Sequence, residues 1–320
     1  MGRKSGISIL GIYVADTAYL SKRMPEIGET LLGSGFSLGP GGKGSNQAVA
    51  AGRAGAETSF ISKIGKDPFG EMALKIYAES GVSPKLTIMD DTPTGAAFIF
   101  INEETGENAI IVYPGAAGTI SVDDVEDQRE CIESSSVFVT QLEQPLDAAQ
   151  RGLEIARSAK VRTVFNPAPA IDFPDAIYGL CDYIVPNETE AEAMVGFAIS
   201  SEADAKRAGD ILLARGVGVA LITLGERGVY VHSRQTSTLV PSIADSPVVD
   251  TAGAGDAFIG GFSAALAAGK DDIAAAQFGC ATAGIAVTRR GTAPAMPDIK
   301  EILDLLEKSA AASADEGHVQ

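Results

Sequence analysis

Residues 135–166 read SSVFVTQLEQPLDAAQRGLEIARSAKVRTVFN. The outer pieces, SSVFVT and VRTVFN, are short, apolar and β-branched, as buried strands are. Between them Leu146, Ala149, Leu153 and Ala156 recur at intervals of three and four, which predicts one apolar helix face. A strand, a helix and a second strand in this order predict a parallel pair joined by a crossover helix. The same rhythm continues on both sides. ISILGIYV (Ile7–Val14) reads as a strand, KGSNQAVAAGRAGA as a helix ending at Gly55, and ETSFISKIG as a strand. DPFGEMALKIYAESG predicts a helix with Asp67 at the N-cap, Pro68 at its first position and Gly81 just past its end. CDYIVPN and VALITLG read as further buried strands, the latter after a helix carrying Ala205, Ala208 and Leu212. The expected fold class is α/β: a doubly wound, mostly parallel sheet with helices on both faces.

Two segments break the rhythm. Residues 17–40 and about 93–115 are strand-like, glycine-rich and without helical period, and GAAFIFINEETGENAIIVYPGA predicts a hairpin turning at NEETGEN. Together they predict a small β lid projecting from the main domain, whose apolar face must be covered by substrate, by the domain or by a second copy. The expected organisation is one domain over residues 1–308 and a frayed tail over 309–320.

The chain has 320 residues, 45% of them hydrophobic, and a net charge of −17. That length and apolar content suit one large α/β domain. The acidic balance argues against a nucleic-acid partner, which needs Lys and Arg to neutralise phosphates. It leaves room for a small anion bound by backbone N–H groups. Cys131, Cys181 and Cys280 offer neither zinc spacing nor a disulfide framework, so a reducing cytoplasm is expected. No apolar run reaches the length of a membrane span, and the N-terminal stretch lacks the form of a signal peptide or a myristoylation site.

Two glycine-rich segments precede helices. In GPGGKGSNQAVAAGRAGA (Gly39–Ala56) four glycines crowd ahead of a helix, with Lys43 and Asn46 as donors suited to hydroxyls. An ordinary turn before a packing helix would look the same. The spacing is not that of a Walker A loop, and the dinucleotide fingerprint fails for want of its acidic partner. In DTAGAGDAFIGGF (Asp250–Phe262) an apolar helix over Ala257–Ala268 is expected, with Gly253, Ala254 and Gly255 at its N-terminus. Small residues there point bare N–H groups at one spot, an anion hole reinforced by the helix dipole. Asp256 beside it is poised to take a proton from a hydroxyl that attacks an anion, which is what phosphoryl transfer needs. An N-cap reading explains one Asp, but not Asp250 and the small residues between them. Three other segments sit at strand ends. They are TLGERGVYV (Thr223–Val231), PNETEAE with Asn187 and Glu190, and QLEQP with Glu143; a hairpin turn and a capping box remain alternatives for the first two.

These segments, in order along nearly the whole chain together with FNPAPA and IAVTRRGTAPAMP, resemble the ribokinase family of sugar kinases, and its ribokinase branch more than the adenosine or fructose branches. The resemblance implies ATP-dependent phosphorylation of a pentose at its 5-hydroxyl, with Asp256 as base and Gly253, Ala254 and Gly255 as the hole for the phosphoryl group. It implies a sugar site of Val14, Asp16, Gly42, Lys43, Gly44, Asn46, Glu143 and Asp256. It implies a nucleotide site of Asn187, Thr223, Leu224, Gly225, Glu226, Arg227, Gly228, Gly255 and Cys280. Glu190 is expected to place Mg²⁺ through water, and Asp250, Ala252, Ala286, Arg289 and Gly291 to hold K⁺. A homodimer through paired lids is expected as well.

One departure bears on the substrate. Where ribokinases read roughly GSINAD, this chain reads GIYVAD, so Val14 replaces a sugar-contacting Asn while Asp16 is kept. A site that leaves a hydroxyl without a partner penalises the sugar carrying it, and the deoxyribokinases also look apolar here. Ribose and 2-deoxyribose are therefore both open. A phosphosugar kinase would want more cations near the lid than Lys22 and Arg23, and a non-catalytic sensor would have lost the base or the hole.

Overall fold

The structure, a computed structural model, describes residues 4–316, with side chains as far as Ala311. Its strands are β1 (Ile7–Leu10), β2 (Val14–Ser21), β3 (Gly35–Gly41), β4 (Thr58–Gly65), β5 (Val82–Met89), β6 (Thr94–Asn102), β7 (Asn108–Gly115), β8 (Val137–Thr140), β9 (Arg162–Phe165), β10 (Tyr183–Ile184), β11 (Val219–Thr223), β12 (Val229–Ser233) and β13 (Ser237–Val240). The α-helices are α1 (Lys43–Arg53), α2 (Pro68–Glu79), α3 (Val122–Asp127), α4 (Arg129–Ser134), α5 (Leu146–Ser158), α6 (Glu188–Val195), α7 (Glu202–Ala214), α8 (Ala254–Ala267), α9 (Asp272–Ala286) and α10 (Ile299–Glu316).

Nine strands form the main sheet in the order β13-β12-β11-β10-β9-β8-β1-β4-β5. Pairing is parallel from β5 to β11 and antiparallel for β12 and β13. Strand alternation sorts the core onto two faces. Ile7, Ile9, Val137 and Val139 pack with α1, α2, α8, α9 and α10, while Leu10, Phe138 and Phe165 pack with α3, α4 and α5. This is the doubly wound sheet that the rhythm predicts. Chain order reverses around β1, with β4 on one side and β8 on the other. The crevice beyond the carboxyl ends of these strands is where such sheets bind ligands. No described helix is long and apolar enough to cross a membrane.

The second sheet has the order β3-β2-β6-β7 and is built from both segments that broke the helical rhythm. Residues 22–34 connect its strands β2 and β3 without regular structure. Three expectations need correction. Ile7–Val14 is not one strand, because β1 ends at Leu10 and β2 starts at Val14 in the other sheet. Gly11 opens the passage between them, since a Cβ there would lie 2.5 Å from Gln141 Oε1. Helix α8 begins at Ala254, earlier than its apolar run suggested, because Gly253 takes the left-handed conformation (φ 75°) at the N-cap. The segment expected to fray from 309 continues α10 to Glu316, in keeping with its high alanine content. Residues 317–320 of that segment lie outside the described residues.

Candidate active site

The site is assembled where α8 presses against α1. Gly260 permits the approach: a Cβ there would collide with the Ala50 side chain and lie 2.7 Å from the Gln47 carbonyl oxygen. The first turns of the two helices are thereby brought together, although Asn46 and Asp256 are 210 residues apart in sequence. Asp256, only 7% exposed, accepts from Asn46 Nδ2 at 3.0 Å on one oxygen and from Gln47 Nε2 at 3.0 Å on the other.

The backbone around Asp256 leaves donors free. Ala254 N–H turns back to the Thr251 carbonyl at 3.2 Å, and Ala257 N–H reaches Gly253 O at 2.8 Å. Among the described residues the N–H groups of Gly253, Gly255 and Asp256 meet no acceptor, in keeping with a helix start. Of the expected donors Gly253, Ala254 and Gly255, only Ala254 is taken, and the Asp256 N–H stands open beside the other two. They open on a cleft of about 160 Å³ lined also by Lys43, Asn166, Asn187, Glu190, Thr223 and Thr251.

Three carboxylates, Asp256, Glu143 and Glu190, act on the Lys43 ammonium, with Asp16 beside Asp256. Burial raises Asp256 above the ordinary carboxylate range, while Lys43, Asn46 and Gln47 pull it back. Glu143 accepts from the Lys43 backbone N–H at 2.7 Å. Burial still lifts it to about 7, against the charge and the N–H of Lys43. Burial and the neighbouring Asp256 charge raise Asp16 to about 6. Glu190 is raised chiefly by burial. Burial would lower Lys43, but Asp256, Glu143 and Glu190 outweigh it and hold its pKa above the ordinary value. Such a cluster can keep a cation beside the base and admit further positive charge.

The remaining residues fall into distinct places. Asn187 and Glu190 form a reciprocal capping box, with bonds of 2.8 and 2.9 Å, and both line the cleft. Of the turn Thr223–Gly228, only Thr223 lines it. Gly225 and Glu226 are exposed, Arg227 pairs with Glu188 at 2.9 Å, and Gly228 is held by a positive φ of 106°. Leu224 and Cys280 do not reach the cleft, because their side chains are buried in apolar clusters; burial pushes the Cys280 thiol up to about 12.

Asp250 accepts from the N–H groups of Ala252 and Gly291, both at 2.9 Å, and so ties the loop before α8 to the loop after α9. The carbonyls of Ala252, Arg289 and Gly291 accept no hydrogen bond among the described residues, which suits a monovalent cation. The Ala286 carbonyl accepts from Arg289 N–H at 3.1 Å, and the Arg289 side chain pairs with Glu301.

In the second sheet, Val14 and Asp16 point from the same face of β2. Val14 is 3% exposed, among Leu10, Ile12, Ile61 and Ala97. Gly41 lies across from Val14, and a Cβ on it would collide with the Asp16 carboxylate. Gly42 caps α1 at φ 90°, and Gly44 packs against Gly11.

Gln47, Asn166 and Gln141 went unread in the sequence. Gln47 Nε2 also donates to Asn166 Oδ1 at 3.3 Å, and Asn166 Nδ2 to Val185 O at 2.9 Å. For Gln47 the one available signal was an amide in an alanine-rich helix, while Gln141 and Asn166 each directly follow a strand, β8 and β9.

A buried carboxylate at a glycine-capped helix, open N–H donors and a second sheet that begins just past the end of β1 fit an α/β phosphotransferase for a small hydroxylic substrate. The chain belongs to the pfkB family of carbohydrate kinases, whose model matches residues 5–299. It is 36% identical over 302 residues to a ribokinase from Haemophilus influenzae, covering 94% of this chain and 98% of that protein. It is 32% identical over 304 residues to a deoxyribokinase from Salmonella typhi, covering 94% and 98%. The solved structure of Arabidopsis thaliana ribokinase complexed with ribose and ATP has a TM-score of 0.88 to this chain at 26% identity, covering 95% of this chain and 99% of that one.

Proposed function

We propose that this kinase transfers the γ-phosphoryl group of ATP to the 5-hydroxyl of D-ribose, giving ribose 5-phosphate and ADP. The observation that carries the reading is Asp256, buried beside two open N–H donors and a charged Lys43 in one cleft. Asp256 takes the hydroxyl proton, and the donors at Gly255 and Asp256 receive the charge on the transferred group. Asp16, Asn46 and Glu143 orient the sugar through its other hydroxyls, with the glycines around Lys43 allowing close approach. The nucleotide lies between Asn187 and the turn Thr223–Gly228, with the turn contributing mainly backbone. Glu190 would place Mg²⁺ through water, and the ion would supply positive charge to the phosphates. The loops Asp250–Ala252 and Ala286–Gly291 would hold K⁺ and so order the start of α8.

A second reading, 2-deoxyribose as the preferred sugar, is favoured by Val14, which offers no hydrogen bond where an amide would. We also propose that the second sheet is a lid and pairs in a homodimer in the cytoplasm. Its register puts Tyr19, Phe36, Leu38, Ile111 and Tyr113 on one face, all exposed. Water-exposed apolar surface of this kind favours a partner.

The test is a kinase assay on ribose, 2-deoxyribose, hexoses and nucleosides, with and without K⁺, and phosphorus NMR of the product. A 5-phosphate from ribose is expected. Turnover confined to nucleosides or hexoses would overturn the pentose assignment. Val14→Asn is expected to raise the kcat/KM ratio of ribose over 2-deoxyribose about tenfold. An unchanged ratio would remove Val14 from sugar selection. Phe36→Asp should convert dimer to monomer in sedimentation.

A further inference from the structure

We propose that Gln47 and Gln141 form an amide relay that positions the base: Gln141 fixes the direction of Gln47, and Gln47 holds the Asp256 carboxylate in place and in its ionised form. The proposal rests on the kinase reading above and adds two positioning residues to it.

The direction of the relay follows from the charge at its end. A carboxylate only accepts, so Gln47 must turn its NH₂ toward Asp256, where Nε2 lies 3.0 Å from Oδ1. Its Oε1 then points away and needs a donor. Gln141 Nε2 supplies it at 2.5 Å. Gln141 is thereby forced to turn its own carbonyl oxygen away, and that oxygen is buried without any donor. Both glutamines are fully buried. A buried acceptor without a partner is costly, and a fold does not keep one without a reason. Here the reason is the chain of amides, which ends with the Gln47 donor on the base.

The surrounding backbone is shaped to admit this arrangement. A Cβ on Gly11 would lie 2.5 Å from Gln141 Oε1, and one on Gly44 2.9 Å from it. The orphaned oxygen therefore sits against two glycines, from the end of β1 and the start of α1. Asn166 fixes the second hydrogen of Gln47 Nε2 at 3.3 Å. With Asn46 on the other carboxylate oxygen, Asp256 is gripped on both sides and cannot rotate away from the reacting hydroxyl. The groups acting on its charge from neighbouring elements are Lys43, Asp16, Glu143 and Glu190. None of them donates to Asp256 Oδ1.

The test compares Gln47→Leu, Gln47→Glu and Gln141→Leu with the unaltered enzyme. The readouts are the acid limb of the kcat pH profile, KM for both substrates and a carbon-13 titration of the Asp256 carboxyl. Loss of a donor favours the protonated acid, so the limb and the NMR midpoint should both rise, by about one pH unit for Gln47→Leu. Gln47→Glu, which is isosteric but brings a second acid, should rise further. Gln141→Leu leaves Gln47 free to flip and should rise least. KM should change less than about twofold, since binding is not the relay's task. A merely structural role predicts the reverse order, with the isosteric Glu mildest. That order, or an Asp256 titration unmoved in all three variants, would overturn the relay. The NMR midpoint needs no sugar, so an unaltered enzyme inactive on pentoses would refute the sugar reading while leaving the relay to stand or fall on its own titration.

Discussion

Helices α1 and α8 both begin at a glycine with positive φ, yet their first N–H groups are satisfied by different partners. At α1 the protein supplies its own anion: Glu143 accepts from the Lys43 N–H at 2.7 Å. At α8 the first N–H, of Ala254, is taken by the Thr251 carbonyl, and the Asp256 carboxylate is held instead by Asn46 and Gln47. A helix N-terminus attracts negative charge in either case. Both starts leave their second and third N–H groups, Gly44 and Ser45 at α1 and Gly255 and Asp256 at α8, without an acceptor among the described residues; they differ in the first, which meets a carboxylate at α1 and a backbone carbonyl at α8.

The sharpest way to break this contrast is at Asp256. Asp256→Asn keeps the size of the side chain and should lower kcat about 10³-fold with little change in either KM; a loss below tenfold would mean that another group takes the proton. Next comes Gly253→Ala, which strains the φ of 75° that sets the open donors, while meeting only Thr292 at 3.3 Å. It should cost about 10²-fold in kcat through the displaced donors. At α1 the matching change, Gly42→Ala, forces a Cβ to 2.5 Å from the Ile12 carbonyl oxygen at φ 90°. Its effect should fall on stability, about 2 kcal/mol in denaturant unfolding. If Gly42→Ala spared stability and abolished kcat, the two termini would be alike after all.

The smallest expected effect is a pH dependence at Glu143. Its folded pKa, about 7, lies above the ordinary 4.5. The folded state therefore holds this proton more tightly than the unfolded chain does, and stability from this group is full below 4.5 and lost as pH rises through 7. Glu143→Gln removes the titration, so its Tm relative to the unaltered enzyme should climb between those values. A flat difference across that window would show that Lys43 already compensates the ionised form.

Much of this molecule was legible before its fold. The strand-helix rhythm carried the doubly wound sheet, and the loss of helical period at 17–40 and 93–115 marked the segments that became the second sheet. Asp67, Pro68 and Gly81 marked the bounds of α2 because capping depends on residues a few positions apart. The break at Gly11 was hidden, since apolar β-branched residues continue through it and only the partner strand changes. Cys280 and Leu224 lie in apolar clusters, a burial that residue type alone does not reveal.

The sequence by itself determined the reaction's parts: glycines that allow a bare helix start, an acid one step inside, and a lysine and asparagine at a second start. These are local properties of φ, side-chain size and charge. Tertiary structure alone decided that Glu143 sits on the start of α1 and that Gln141 and Asn166 meet Gln47 behind Asp256. Those outcomes depend on distances between segments far apart in the chain, which only the packing of α8 against α1 brings within hydrogen-bond reach.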